Sequence, residues 1–170
     1  MMDCLNSKGV DVDKEKGIVR FSKTQIEDAI SLVHSQFDVF DRDGKEVFTI
    51  GDGRPKIAAG HNAVFWVDSE TGSTRSSTVA DVERFARICE QLPNIDMIGI
   101  PVMPQDVPNP KASLLYGVKA CVTNSKKPIF FSTDKKDINR GCIEILKAAF
   151  AGDLSSQCYG ISQLSPTSPL

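Results

Sequence analysis

Three continuously apolar runs recur in the second half of the chain, at residues 95–100, 128–132 and 158–164. Their centres fall near Ile98, Phe130 and Gly160, roughly 30 residues apart. Runs that are apolar at every position, not at alternate ones, are those of strands buried on both faces, as in parallel sheets. A helical pattern fills each interval. Leu114, Leu115, Val118 and Val122 form one stripe, and Ile138, Cys142, Ile145, Leu146 and Ala149 form another. A third stripe, Val82, Phe85, Ala86 and Cys89, precedes the first run. Strands alternating with helices pair in parallel through right-handed crossovers. The interval matches the repeat of an eightfold α/β barrel, and a doubly wound sheet fits the spacing nearly as well.

Local signals place the helix ends. Thr78 and Asp81 stand at capping-box spacing, with Asp where Glu is usual. Leu92-Pro93 ends that helix. Asn109-Pro110 makes an N-cap and first-turn pair for the next, and Thr133-Asp134 is the expected start of the last, with Gly152 closing it. The first strand runs into a loop holding four prolines, Pro101, Pro104, Pro108 and Pro110, with Gln105 and Asp106 among them. Proline fixes φ, so this loop is stiff. No G-x-G-x-x-G or phosphate-binding loop follows the strand, which counts against a dinucleotide fold.

The opening, residues 1–76, is expected to be β-rich with one helix. VDV (10–12) and IVRF (18–21) flank DKEK. FDVF (37–40) and EVFTI (46–50) flank DRDGK, where Asp43-Gly44 is a hairpin signal. KIAA (56–59) and AVFWVD (63–68) flank Gly60-His61-Asn62. The helix is capped by Ser22 and carries Ile26, Ala29, Ile30 and Val33 on one face. Residues 77–170 then hold the strand–helix units.

Composition narrows the function classes. Twenty basic residues against 22 acidic give a net charge of −2, without a basic footprint for nucleic acid. No apolar run reaches the ~20 residues of a membrane span, and the start lacks signal-peptide layout, so a cytoplasmic protein is expected. Five cysteines show no C-x-x-C spacing, and three of them lie on the helix stripes as small hydrophobes. Asp11, Asp13 and Glu15 alternate as in a calcium loop, but Lys16 and Ser22 stand where Gly and a bidentate Glu are required. No metal site is expected. His34 and His61 both fall in the β-rich opening, away from the strand ends, so serine–histidine chemistry is not expected either. Trp66 is the one aromatic residue kept as a candidate for holding a cation.

DSETGSTRSSTVAD (68–81), LPNID (92–96), P-x-D-V-P (104–108), K-P (127–128) and SPL (168–170) stand in this order. Together with GVDVD…VRF…FDVFDRDG before them, they resemble the trimethylamine–corrinoid methyltransferase family over roughly residues 9–170. The resemblance implies a TIM barrel that takes a methyl group from trimethylamine or a betaine-type amine. The acceptor it implies is the corrinoid (cobalamin) of a separate carrier protein, with no cofactor bound by this chain itself. Barrel active sites lie at the C-terminal ends of the strands. On that basis Gln105 and Asp106, Ser132, Ser165 and Ser168 are the expected substrate-binding residues, with the catalytic residues left open.

Three strands fall short of the eight a barrel needs. The chain is therefore expected to be a partial barrel of about three βα units behind a hairpin-rich segment, inactive alone. Whether a second copy or a complementing chain completes it stays open at this point. Two other readings also stay open: a different small α/β enzyme or binder, and a non-catalytic interaction module.

Overall fold

The computed structural model describes residues 2–132 and 134–163. The chain divides into two compact units, one within Met1–Ser35 and the other within Gln36–Leu164.

In the first unit, α1 (Met2–Ser7) precedes an antiparallel pair, β1 (Asp11–Asp13) with β2 (Ile18–Arg20), and then α2 (Lys23–Ser31). The sequence foresaw one helix here, and α1 is a second. Ser22 caps α2 as expected. Its Oγ accepts from the Gln25 N–H while the Gln25 side chain accepts from the Ser22 N–H. The apolar stripe on α2 is not buried: Ile30 and Val33 are 65% and 71% exposed.

The second unit opens with the antiparallel hairpin β3 (Phe37–Phe40) and β4 (Glu46–Ile50). Gly44 turns it at φ +82°, the conformation that the Asp-Gly signal anticipates. Next come β5 (Ala58–Ala59), β6 (Phe65–Val67), β7 (Thr74–Ser76), α3 (Val79–Glu90), β8 (Met97–Gly99), α4 (Ser113–Asn124), β9 (Ile129–Ser132), α5 (Lys136–Ala149) and β10 (Gly160–Gln163). A 3₁₀ turn at Pro110–Ala112 leads into α4, with Asn109 accepting from the Lys111 N–H. The last helix begins at Lys136, two residues later than Asp134, because Asp134 is tied up with Asn139 ahead of the helix.

The three anticipated strands are present and parallel. They belong to a four-stranded sheet of order β10-β9-β8-β5. The fourth strand corrects the sequence reading. KIAA does not make a hairpin with AVFWVD across Gly60-His61-Asn62. Ala58 and Ala59 instead pair in parallel with Met97 and Ile98. The partner of Phe65–Val67 is Thr74–Ser76, antiparallel. Two alanines carry too little side chain to announce a strand, and His-Asn beside Gly mimics a turn.

Register assigns the two faces. Ala59, Ile98, Ile129 and Gly160 stand in one row across the sheet, and Gly99, Phe130 and Ile161 in the next. Successive residues of a strand point to opposite faces. The first row faces the helices: a Cβ on Gly160 would lie 2.6 Å from Leu146 of α5. Ile98, Ile100, Ile129 and Phe131 are buried there with Val82, Ala86, Leu114, Val118, Cys121, Cys142 and Leu146. Truncating Ile129 to Ala in such a core would cost about 2–5 kcal/mol. Cys121 lies in this core, and burial pushes its thiol up to about 12. Cys142 is raised to about 11 for the same reason, so both act as packing residues and not as nucleophiles.

Candidate active site at the C-terminal edge of the parallel sheet

Parallel strands gather their C-terminal ends along one edge, the usual place for a site in such sheets. Two glycines let the chain turn tightly there. Beyond β5 the backbone passes directly over the end of β8. Gly60 takes φ +79°, and a Cβ on it would lie 2.5 Å from Pro101 Cα. A Cβ on Gly99 would lie 2.1 Å from the Gly60 carbonyl oxygen. Both positions exclude any side chain. The passage is pinned by Asn62 N–H to Ile100 O at 2.7 Å, Ala63 N–H to Pro101 O at 3.0 Å and Met103 N–H to Ala63 O at 2.8 Å.

This passage carries His61 and Asn62 to Ser132 at the end of β9. The Asn62 amide Nδ2 donates to Ser132 Oγ at 2.9 Å. His61 Nε2 lies 2.9 Å from the same oxygen. The His61 ring sits over Phe130, with centroids 5.4 Å apart and planes tilted by 39°. Phe130 and Ser132, two residues apart on β9, share the sheet face opposite the helices. Ser132 pairs in register with Gln163 of β10. The expectation that His61 lies away from the strand ends is therefore overturned. The missed strand β5 is the reason, since it brings residue 61 to the edge of a strand 70 residues further on.

Asn62 is unusual in two respects. Its φ is +52°, the one left-handed non-glycine residue among those described. Asparagine tolerates this region better than most residues, but it still stores strain. Its Oδ1 is buried without a hydrogen-bond partner. Strain and an unpaired buried acceptor in one residue, at the edge where sites form, is the pattern of a functional position.

The proline loop is a brace. Pro101 and Pro104 are buried, Ser77 Oγ donates to Met103 O at 2.7 Å, and Ser113 Oγ donates to Pro104 O at 2.6 Å. The Gln105 N–H donates to Ser77 O, and its side chain donates to Val64 O. Asp106 Oδ1 accepts the Val79 N–H at 2.9 Å, in the first turn of α3, where a carboxylate is favoured. Gln105 also borders a cavity of about 360 Å³ with Val64, Phe65, Met103, Pro104, Pro110 and Ser113. By their bonds, Gln105 and Asp106 belong with the 64–79 segment, and Ser132 belongs with His61 and Asn62. Ser165 and Ser168 lie outside the described residues.

Beside the loop, Asp81 is the most strongly engaged acid. Arg75 binds it in bidentate fashion at 2.7 Å per bond, and the Thr78 N–H and Oγ also donate to it. The Arg75 guanidinium, aided by Thr78, holds the buried carboxyl at about 2. Trp66, the candidate cation holder, has a cation already: Arg75 lies 5.9 Å from its ring centroid.

The family described as Trimethylamine methyltransferase (MTTB) matches residues 1–170. A relative named Trimethylamine methyltransferase MttB, from Desulfitobacterium hafniense, is 23% identical over 171 residues. That match covers 99% of this chain and 34% of the relative, so the chain spans about a third of the relative's length. A match along the whole chain, joined to a parallel sheet built in chain order, identifies the protein by lineage: it belongs to the trimethylamine methyltransferase family.

Proposed function

We propose that this chain is the opening part of a (β/α)₈ barrel that transfers a methyl group from a methylated amine to the corrinoid of a separate carrier protein. The carrying observation is the sheet order. Four parallel strands lie side by side in the order of the sequence, with α3, α4 and α5 packed on one face. A doubly wound sheet reverses its strand order and uses both faces, whereas a barrel keeps adding staves on one side. Residues 77–170 supply the βα units in this reading, and Ala58–Ala59 joins them as the first stave. Residues 1–76 otherwise precede the barrel.

The chemistry sets what the protein must do. A methyl group leaves an amine readily only when the nitrogen departs neutral, so the reacting nitrogen must carry a positive charge beforehand. Co(I) corrinoid, delivered by the carrier as the methyl acceptor, supplies a strong nucleophile. The protein supplies orientation and exclusion of water. The face of Phe130 and the polar groups of His61, Asn62 and Ser132 suit the amine end of this reaction. In this reading Gln105 and Asp106 hold the rim of the site in shape, and Ser165 and Ser168 stay candidate rim residues.

The test is to express the whole native protein that contains residues 1–170, and to compare it with residues 1–170 alone. Each is mixed with reduced corrinoid carrier proteins and trimethylamine or glycine betaine, and methylation is followed by the corrinoid visible spectrum. The native product should methylate a carrier with one of these amines, and residues 1–170 alone should not. Methylation by residues 1–170 alone would overturn the partial-barrel reading. Failure of the native product with every carrier and amine would overturn the methyl-transfer reading.

A further inference from the structure

We propose that Ser132 Oγ is the atom that binds the substrate nitrogen, and that it selects amines bearing an N–H over quaternary ammonium ions. The inference rests on the methyl-transfer reading and narrows its substrate class. A serine hydroxyl has one donor and two acceptor positions. The Asn62 amide N–H fills one acceptor position at 2.9 Å. His61 Nε2, also at 2.9 Å, takes the hydroxyl proton when its ring carries the proton on Nδ1. One lone pair of Ser132 Oγ then remains for an N–H donor, and Ser132 is only half-buried. His61 and Asn62 are positioning residues in this arrangement, since between them they fix the direction of the remaining lone pair. The strain and buried unpaired acceptor at Asn62 are what holding its amide there entails.

A tertiary amine at neutral pH is a trialkylammonium with a single N–H. Held through that N–H at Ser132 Oγ, with Phe130 close by, it stays a cation bound by one hydrogen bond and an aromatic contact. The balance is simple. The C–N bond breaks with its electron pair going to nitrogen, the methyl group passes to the Co(I) acceptor, and a neutral secondary amine departs with the proton it already had. A quaternary ammonium cannot donate to Ser132 and gains only the aromatic contact.

Two histidines in the chain make the test clean, because only His34 and His61 contribute imidazole signals. The chain is labelled at histidine and titrated by NMR with trimethylammonium chloride, and separately with tetramethylammonium chloride. Trimethylammonium should shift the His61 ring signals saturably and leave His34 unmoved. Tetramethylammonium should bind about tenfold or more weakly, the loss expected for one charge-assisted hydrogen bond. Ser132→Ala should abolish the His61 response and Ser132→Thr should retain it. The two ligands compared on the unaltered chain decide the matter even if a variant fails to fold. An unmoved His61, an equal response to both cations, or a full response in Ser132→Ala would each overturn the proposal. Methyl transfer by the native product alongside an unresponsive His61 would remove this inference and leave the methyl-transfer reading standing.

Discussion

At the N-terminal end of the parallel sheet, most polar groups are paired off, the buried Tyr159 hydroxyl being an exception without a partner. Lys127 Nζ donates to the carbonyls of Leu92 and Ile95. Glu90 accepts from Ser125 Oγ at 2.7 Å and from the Lys126 N–H at 2.9 Å. Arg42 reaches the Val122 carbonyl at 2.7 Å, and the hairpin β3–β4 joins this end through Phe40 N–H to Cys158 O. At the C-terminal end, Ser132 Oγ is shared by Asn62 Nδ2 and His61 Nε2, Asn62 is left-handed, and its Oδ1 is buried without a partner. A buried unpaired atom occurs at each end, so what sets the C-terminal end apart is the left-handed backbone of Asn62 beside the contact of His61 with Ser132.

The first way to break this comparison is at the backbone crossing, where the C-terminal edge should be as rigid as the core. Gly99→Ala places a Cβ 2.1 Å from the Gly60 carbonyl oxygen. It should destabilise the second unit by about 3 kcal/mol or abolish folding, read by urea denaturation. A loss below about 1 kcal/mol would mean that the passage over β8 is loose.

The next largest effect concerns Asp81, the structural acid near the same edge. Its folded value, about 2, lies below the ordinary 3.8. A depressed carboxyl stabilises the fold above its unfolded value and loses that contribution as pH falls through the folded one. Between about pH 4 and pH 2 the chain should therefore lose about 2 kcal/mol from this group. Arg75→Gln should lower stability at pH 7 and flatten that acid limb, measured by urea denaturation at pH 7 and pH 3. An unchanged slope would show that Arg75 does not hold the acid.

The direct contrast between the two ends comes third. Lys127→Met at the N-terminal end removes two bonds to the loop carbonyls of Leu92 and Ile95 and should cost about 1–2 kcal/mol. Asn62→Gly at the C-terminal end releases a left-handed side chain and an unpaired buried oxygen. It should be neutral, or stabilising by up to about 1 kcal/mol, while weakening any amine response. Equal losses at both ends would dissolve the distinction.

Much of this was legible in the residues. The runs around Ile98, Phe130 and Gly160 became parallel strands because burial on both faces demands uninterrupted apolar sequence. Thr78 and Asp81 cap α3 reciprocally, as their spacing indicates. Of the predicted site, Ser132 lies beside His61 and Asn62, whereas the exposed Gln105 and Asp106 bond to Val64 O and the Val79 N–H and brace the proline loop. His61 and Asn62 were missed because they depend on β5, and Ala58-Ala59 has neither the length nor the branched side chains of a strand. A Gly-His-Asn turn after a short apolar pair was the available signal. It is ambiguous in sequence, since hairpin turns and strand-end loops draw on the same residues.

The most direct test of the account is a nuclear Overhauser measurement on the chain, between the His61 ring protons and the side chains of Phe130 and Ser132. Cross-peaks to both are predicted, since His61 Nε2 lies 2.9 Å from Ser132 Oγ and the two rings are 5.4 Å apart. Such peaks require β5 to lie parallel within the sheet that holds β9. A His61 ring without these cross-peaks, in a chain whose core is otherwise well dispersed, would contradict both the four-stranded order and the site built upon it.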